Sequence, residues 1–301
     1  LDLEPRDAEC RLKQAIRKCD AELPPICHRT RLAPELTADQ IRVADELCDF
    51  RMPLMNGSSI PMGLPYDWYY GVDDGHLGGE APAYIVQRIA FAGTLVRVYE
   101  QTGETQYARV LRDYVMDYVS RYWVDSTELP ERDNWLCTAC RCGTWHCNRF
   151  EGIYAALTYD AVLECFSLND LLAVFRAIDN MITGLIPNLA LGSNWRLHEI
   201  SNIFTQGFSW AFLKRAPLWQ ELAVNALNEE FEVQFHNVGS HEELCSHYGA
   251  GTWQVFAAYY ALARERPDVG LVFDAGKMER CMEYFLSSCK PFGPLTALGD
   301  D

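Results

Sequence analysis

The chain has 301 residues, of which 49% are hydrophobic, 12% aromatic and 23% charged, enough apolar side chain for a packed core and too much for a disordered or collagen-like polymer. Its formal charge of −16, from 26 basic and 42 acidic residues, argues against nucleic acid or an anionic membrane surface as a broad electrostatic partner. No window holds the ~18 consecutive apolar residues that a membrane-spanning helix needs.

Taken in chain order, helical periodicity dominates. Helices are expected over 7–19 and 37–50, followed by an irregular stretch, 51–83, rich in Gly, Pro and aromatic residues. Residues 84–101 place Ile85, Ile89, Ala92, Leu95, Val96 and Tyr99 on one face, and Thr102-Gly103 stops that helix. A second stripe from Glu104 to Trp123 carries Tyr107, Leu111, Tyr114, Val115, Tyr118 and Tyr122. A Cys-rich loop, 124–147, precedes helices expected over 148–165, 168–186, 195–213, 217–236, 248–265 and 276–289. Helices of this length with short connections pack as antiparallel hairpins. The expected fold is therefore all-α, one domain over 1–301, closed as an (α/α) toroid or left open as a solenoid.

Of the 12 cysteines, eight are scattered along the chain, several of them at apolar helix positions. Cys137, Cys140, Cys142 and Cys147, with His146 beside them, are close enough to converge on zinc or another divalent ion, to form local disulfides, or to remain loop thiols. No other cofactor is indicated.

Two segments carry more polar chemistry than a core needs. In Gly192-Ser193-Asn194-Trp195-Arg196-Leu197-His198-Glu199, Asn194 is placed to cap the helix that follows. His198 and Glu199 lie about one turn on, so polar groups converge at one helix start beside the aromatic face of Trp195 and the guanidinium of Arg196. That combination suits a sugar ring and its carboxylate. The second segment, Asn237 to Tyr248, packs His241, Glu242, Glu243, His247 and Tyr248 into a turn that enters a helix, a common place for acid–base groups.

Together these segments resemble the heparinase II/III-like polysaccharide lyases. The resemblance rests on Asn194-Trp195-Arg196-x2-Glu199, on Gly239-Ser240-His241-x-Glu243-x4-Tyr248, and on the 54-residue step from Asn194 to Tyr248. Trp145-His146-Cys147-Asn148-Arg149 and the final Gly293-Pro294-Leu295 run support it, and it covers roughly residues 84–301. It implies an incomplete (α/α) toroid that cuts a uronic-acid polysaccharide, a glycosaminoglycan or alginate, by β-elimination. By that resemblance Asn194 neutralises the substrate carboxylate, and Tyr248 acts as general base, general acid or both. Trp195, Arg196, His198, Glu199, Arg149, His241, Glu243, His247, Trp145 and Tyr69 become substrate-binding candidates. A free Tyr ionises near ~10, so a basic Tyr248 needs positive charge nearby, for which His198, His241, His247 and Arg196 are the candidates.

Two departures stand out. Gly249 follows the tyrosine where the family often has His, and Cys245-Ser246 stands where many members have Ser-Pro. Many members also draw a catalytic residue from a C-terminal β-sandwich domain, which is expected after Asp301 as a partner of this one. The resemblance further implies a secreted or periplasmic enzyme. The competing readings are a non-catalytic carbohydrate-binding toroid with Trp68, Tyr69, Tyr70 and Trp145 in its cleft, an α/α-toroid glycoside hydrolase, and a helical-repeat interaction protein.

Overall fold

A computed structural model of the chain describes residues 4–22, 36–53, 59–66, 68, 91–123, 125, 127, 152–190, 192, 194–243 and 245–288. The chain divides into two compact units, Leu1–Asp20 with Thr30–Asn188, and Ala21–Arg29 with Leu189–Asp301.

The first unit contains α1 (Pro5–Glu22), α2 (Ala38–Cys48), α3 (Ala92–Thr102), α4 (Thr105–Tyr122), α5 (152–158), α6 (Asp160–Leu163) and α7 (Leu168–Leu185). Local signals set the helix ends. Thr37 and Gln40 form a capping box at the start of α2, and Ser167 with Asp170 forms another at the start of α7. Gly103, at φ 72°, takes the left-handed conformation that ends α3 at the expected Thr102-Gly103 stop. Packing centres on Tyr114 of α4, whose ring meets Phe50, Tyr66 and Phe91 at centroid distances of 5.2, 5.1 and 4.6 Å.

Two expectations change in this unit. The stretch over 51–83 holds a small antiparallel pair, β1 (Arg51–Pro53) with β2 (Ser59–Pro61), too short to show period-two alternation. The single helix expected over 148–165 is broken at Tyr159, which is extended at φ −96° and ψ 116°. Just before the break, the Thr158 hydroxyl donates to the Tyr154 carbonyl (2.9 Å), a local bond of the kind that bends helices. Residues 84–90 and, apart from 125 and 127, the Cys-rich loop lie outside the described residues.

The second unit contains α8 (Asn194–Ser209), α9 (Ala216–Gln234), α10 (Ser246–Glu265) and α11 (Ala275–Ser288). α8 packs closely on α9, and α10 packs on both α8 and α11. Leu197, Ile200 and Phe204 of α8 face Trp219, Ala223, Leu227 and Phe231 of α9, spacings that keep one stripe inward. A Cβ at Gly207 would lie 3.1 Å from the Gln220 backbone nitrogen, so this glycine permits the close α8–α9 approach. Phe231, Phe235 and Phe256 continue the core between α9 and α10. Full burial of one such ring contributes about 2–3 kcal/mol. α8 ends at Ser209 rather than near 213, because residues 210–215 form successive tight turns before Pro217 opens α9.

The end of α9 is fastened from α11. Lys277 is 3% exposed and its ammonium donates to the Phe231 and Glu232 carbonyls (3.2 and 3.1 Å) and to the Glu232 carboxylate (2.9 Å). A cation there satisfies carbonyls that a helix terminus leaves unpaired.

Candidate active site

The site residues in the second unit meet where α8 and α10 begin. A tight turn joins α9 to α10, with the His236 N–H donating to the Ser240 carbonyl (2.9 Å) and the Glu242 N–H to the Gln234 carbonyl (2.8 Å). Gly239 holds φ 93° in this turn, and a Cβ there would lie 2.3 Å from the Arg280 carbonyl oxygen, so only glycine fits. The turn presents Glu243 to α8, where its carboxylate accepts the backbone N–H of Asn194 at 3.0 Å. Asn194 is thus the first residue of its helix rather than its cap, and the other segment satisfies its free N–H. Asn194 itself is 8% exposed.

Behind Asn194 runs a chain of hydrogen bonds. The Glu243 N–H donates to His241 Nδ1 (3.3 Å), and His241 Nε2 faces the Gln234 Oε1 (3.4 Å). Gln234 Nε2 donates to Glu230 (2.8 Å), whose other oxygen accepts from Arg196 Nε in a close ion pair. Arg196 Nη1 donates to the Ala190 carbonyl (3.1 Å), and the Ala190 N–H donates to Glu199 (2.7 Å). Glu199 is on α8 with Asn194, so the chain of bonds leaves and returns to the same helix.

This arrangement changes several expected roles. Glu199 is fully buried and accepts from the Ala190 backbone, so it presents no surface to a substrate. His241, 2% exposed, is held neutral: burial pushes its pKa down to about 4, Glu242 opposing and His236 assisting. The Arg196 charge is matched by Glu230. Neither His241 nor Arg196 therefore supplies net positive charge to Tyr248. Tyr248 lies in the first turn of α10, 39% exposed, where the positive end of the helix dipole favours a phenolate. Trp195 and the exposed His198 share the first turns of α8 with Asn194.

Gly249, the departure beside the tyrosine, has a packing cause. A Cβ there would lie 2.9 Å from the His241 Cβ and 3.2 Å from the Phe285 ring. His241 therefore supports the first turn of α10 as well as Glu243. Trp68, expected among cleft aromatics, is instead fully buried in the first unit, its indole donating to Asp117 at 2.7 Å. Tyr69, Tyr70, Trp145, Arg149 and the cysteines Cys137, Cys140, Cys142 and Cys147 lie outside the described residues. His247 is in the first turn of α10, and its side chain is outside them too. Among the described residues no group of three or more His, Cys, Asp or Glu is arranged to hold a metal ion. Nor is any described helix long and apolar enough to cross a membrane.

Glu230 and Gln234 belong to the site's supporting framework and were not singled out in the sequence. The available signal was their place on the inward stripe of α9, next to Leu227 and Phe231, where polar side chains need buried partners.

The family model of the heparinase II/III N-terminus matches residues 31–279. The chain belongs to this family. Among solved structures it is similar to the heparan sulfate lyase HepC from Pedobacter heparinus, with 18% identity and a TM-score of 0.69 over 95% of this chain and 44% of that one. It is similar also to the heparinase III-BT4657 gene product, at 18% identity and TM-score 0.66, covering 96% of this chain and 48% of that one. A third, heparinase III, matches at 18% identity and TM-score 0.65, over 97% and 46% respectively. No curated protein sequence matches the chain. The chain spans less than half the length of these solved structures, and the likeness shows the fold, an all-α incomplete toroid of helical hairpins.

Proposed function

We propose that this chain is the helical part of a polysaccharide lyase that cuts a uronic-acid polymer, a glycosaminoglycan or alginate, by β-elimination. The observation that carries the reading is Asn194, which opens a helix with its backbone N–H held by Glu243 and its side-chain amide in a mostly buried residue beside the Tyr248-bearing helix start. Hydrogen bonding from that amide to the substrate carboxylate offsets its charge, which makes the C5 proton removable. Tyr248, as phenolate, takes that proton. The C5–H electron pair forms the C4–C5 double bond while the C4–O bond breaks, and the departing oxygen takes the proton back from the Tyr248 hydroxyl. The likeness to a heparan sulfate lyase supports the substrate class. A β-sandwich domain working with this one, and action outside the cytoplasm, belong to the same proposal.

The test is ultraviolet absorbance of the new double bond, followed with the natural full-length protein on heparan sulfate, chondroitin, hyaluronan and alginate. Absorbance should rise on one of them, and Tyr248→Phe or Asn194→Ala should lower the rate by at least ~10²-fold. New reducing ends without absorbance would indicate a hydrolase, and binding without either would indicate a carbohydrate-binding domain.

A further inference from the structure

The end of α9 carries two side chains that the elimination itself does not use. Glu230 and Gln234 are 5% and 0% exposed, one turn apart on a stripe otherwise formed by Ala223, Leu227 and Phe231. A buried carboxylate and a buried amide are stable there only if their polar atoms are bonded. Both are bonded: Glu230 to Arg196 of α8, and Gln234 to Glu230 and to His241 of the turn that follows α9. We propose that Gln234 is a positioning residue, one that fixes the orientation of His241 and, through Glu243, holds the turn of α8 that presents Asn194. Its link to catalysis rests on the lyase reading above.

The donors and acceptors permit one direction only. His241 Nδ1 accepts the Glu243 N–H, so that nitrogen carries no proton and the ring's single proton is on Nε2. Gln234 Oε1 faces Nε2 and is the acceptor for it. Gln234 cannot flip, because its amide nitrogen donates to Glu230, and a carboxylate only accepts. Glu230 is held in turn by Arg196. A rotated Gln234 would set an oxygen against the carboxylate and an N–H against an N–H. The order Arg196, Glu230, Gln234, His241, Glu243, Asn194 is therefore fixed bond by bond.

His241 also touches the other reacting group's helix. Its Cβ lies against Gly249 with no room for a side chain there, so a displaced imidazole moves the turn bearing Tyr248 together with Glu243. One amide on α9 thereby sets the back wall for both helix starts, although it is itself fully buried and can touch no polymer.

The experiment combines three readouts on the natural full-length protein. In wild type labelled with ¹⁵N-histidine, His241, assigned by its loss in His241→Gln, should be neutral at pH 7 with its proton on Nε2. A proton on Nδ1, or a charged ring, would overturn the proposal without any Gln234 variant. Gln234→Met removes both polar atoms at similar volume. It should speed hydrogen exchange at the Asn194 amide about tenfold, the effect of losing one net hydrogen bond. On whichever polymer wild type cleaves, it should lower kcat by a similar factor with KM unchanged. The double exchange Glu230→Gln with Gln234→Glu still offers Nε2 an oxygen and keeps a donor–acceptor pair between the two positions, and it should recover exchange protection. Equal losses in both variants would make Gln234 a packing residue only, and unchanged exchange in Gln234→Met would also overturn the proposal. If wild type cleaves no polymer while the histidine and exchange results hold, the positioning chain stands and the lyase reading fails.

Discussion

One ion-pair system in each unit treats charge in the opposite way from the other. In the first, Arg17 bridges Asp160 and Glu164 at the rim, its own side chain 39% exposed and theirs 75% and 57%. Even where the cation is buried, as at Lys13, its partner Glu164 stays open to water. In the second, the Arg196–Glu230 pair has a carboxylate only 6% exposed, and it continues through Gln234 and His241 into further bonds. Water can replace a lost partner around Arg17 and has little access to the Glu230 carboxylate. Ion pairs of the same type therefore serve different ends, a solvated rim at Arg17 and a fixed internal framework at Arg196.

Three measurements sharpen or break this contrast. The largest effect is expected from Arg196→Met, which strands the Glu230 carboxylate in the interior and should cost about 3–5 kcal/mol in urea unfolding. Adding Glu230→Met in the same chain should return much of that loss, because an apolar pair no longer leaves a buried charge. The second effect is a pH slope. His241 has its folded pKa lowered to about 4 from an ordinary value near 6.5, so between those values the unfolded chain binds more protons. Its contribution to stability is complete above about pH 6.5 and falls away as the pH drops toward 4. Acidifying from pH 7 to 5 should cost on the order of 1 kcal/mol through this group, a slope that His241→Gln should flatten. The smallest effect is expected from Arg17→Ala, which should change stability by at most about 1 kcal/mol despite removing two ion pairs. A loss at Arg17 equal to that at Arg196 would dissolve the distinction between the units.

The sequence made the helices of the second unit readable to within a few residues, because Ala223, Leu227 and Phe231 repeat at the spacing of one helical face. Asn194, Arg196, Glu199, His241 and Glu243 could be singled out because polar residues cluster beside helix starts and because their order resembles a known family. Their partners could not. Nothing in the sequence pairs Arg196 with Glu230, a contact that exists only after α8 and α9 have packed, or turns Gln234 toward His241, a contact made by the fold of the turn after α9. The charge of His241 was misjudged for the same reason, as burial rather than residue type decides it. Trp68 was misplaced because an aromatic residue in a Gly- and Pro-rich stretch reads alike whether it faces a ligand or a core.

Lys277 has a consequence for the conditions in which such a protein works. A charged polymer carries a condensed layer of counterions, so a protein handling one meets locally high salt. Ion pairs at the surface weaken in that layer, because screening shortens their reach to a few ångströms. The Lys277 ammonium is enclosed by carbonyl oxygens and the ring of Phe231, where dissolved ions do not enter. The helix end that holds Gln234 is thus secured by a charge that an ionic atmosphere at the surface leaves at full strength.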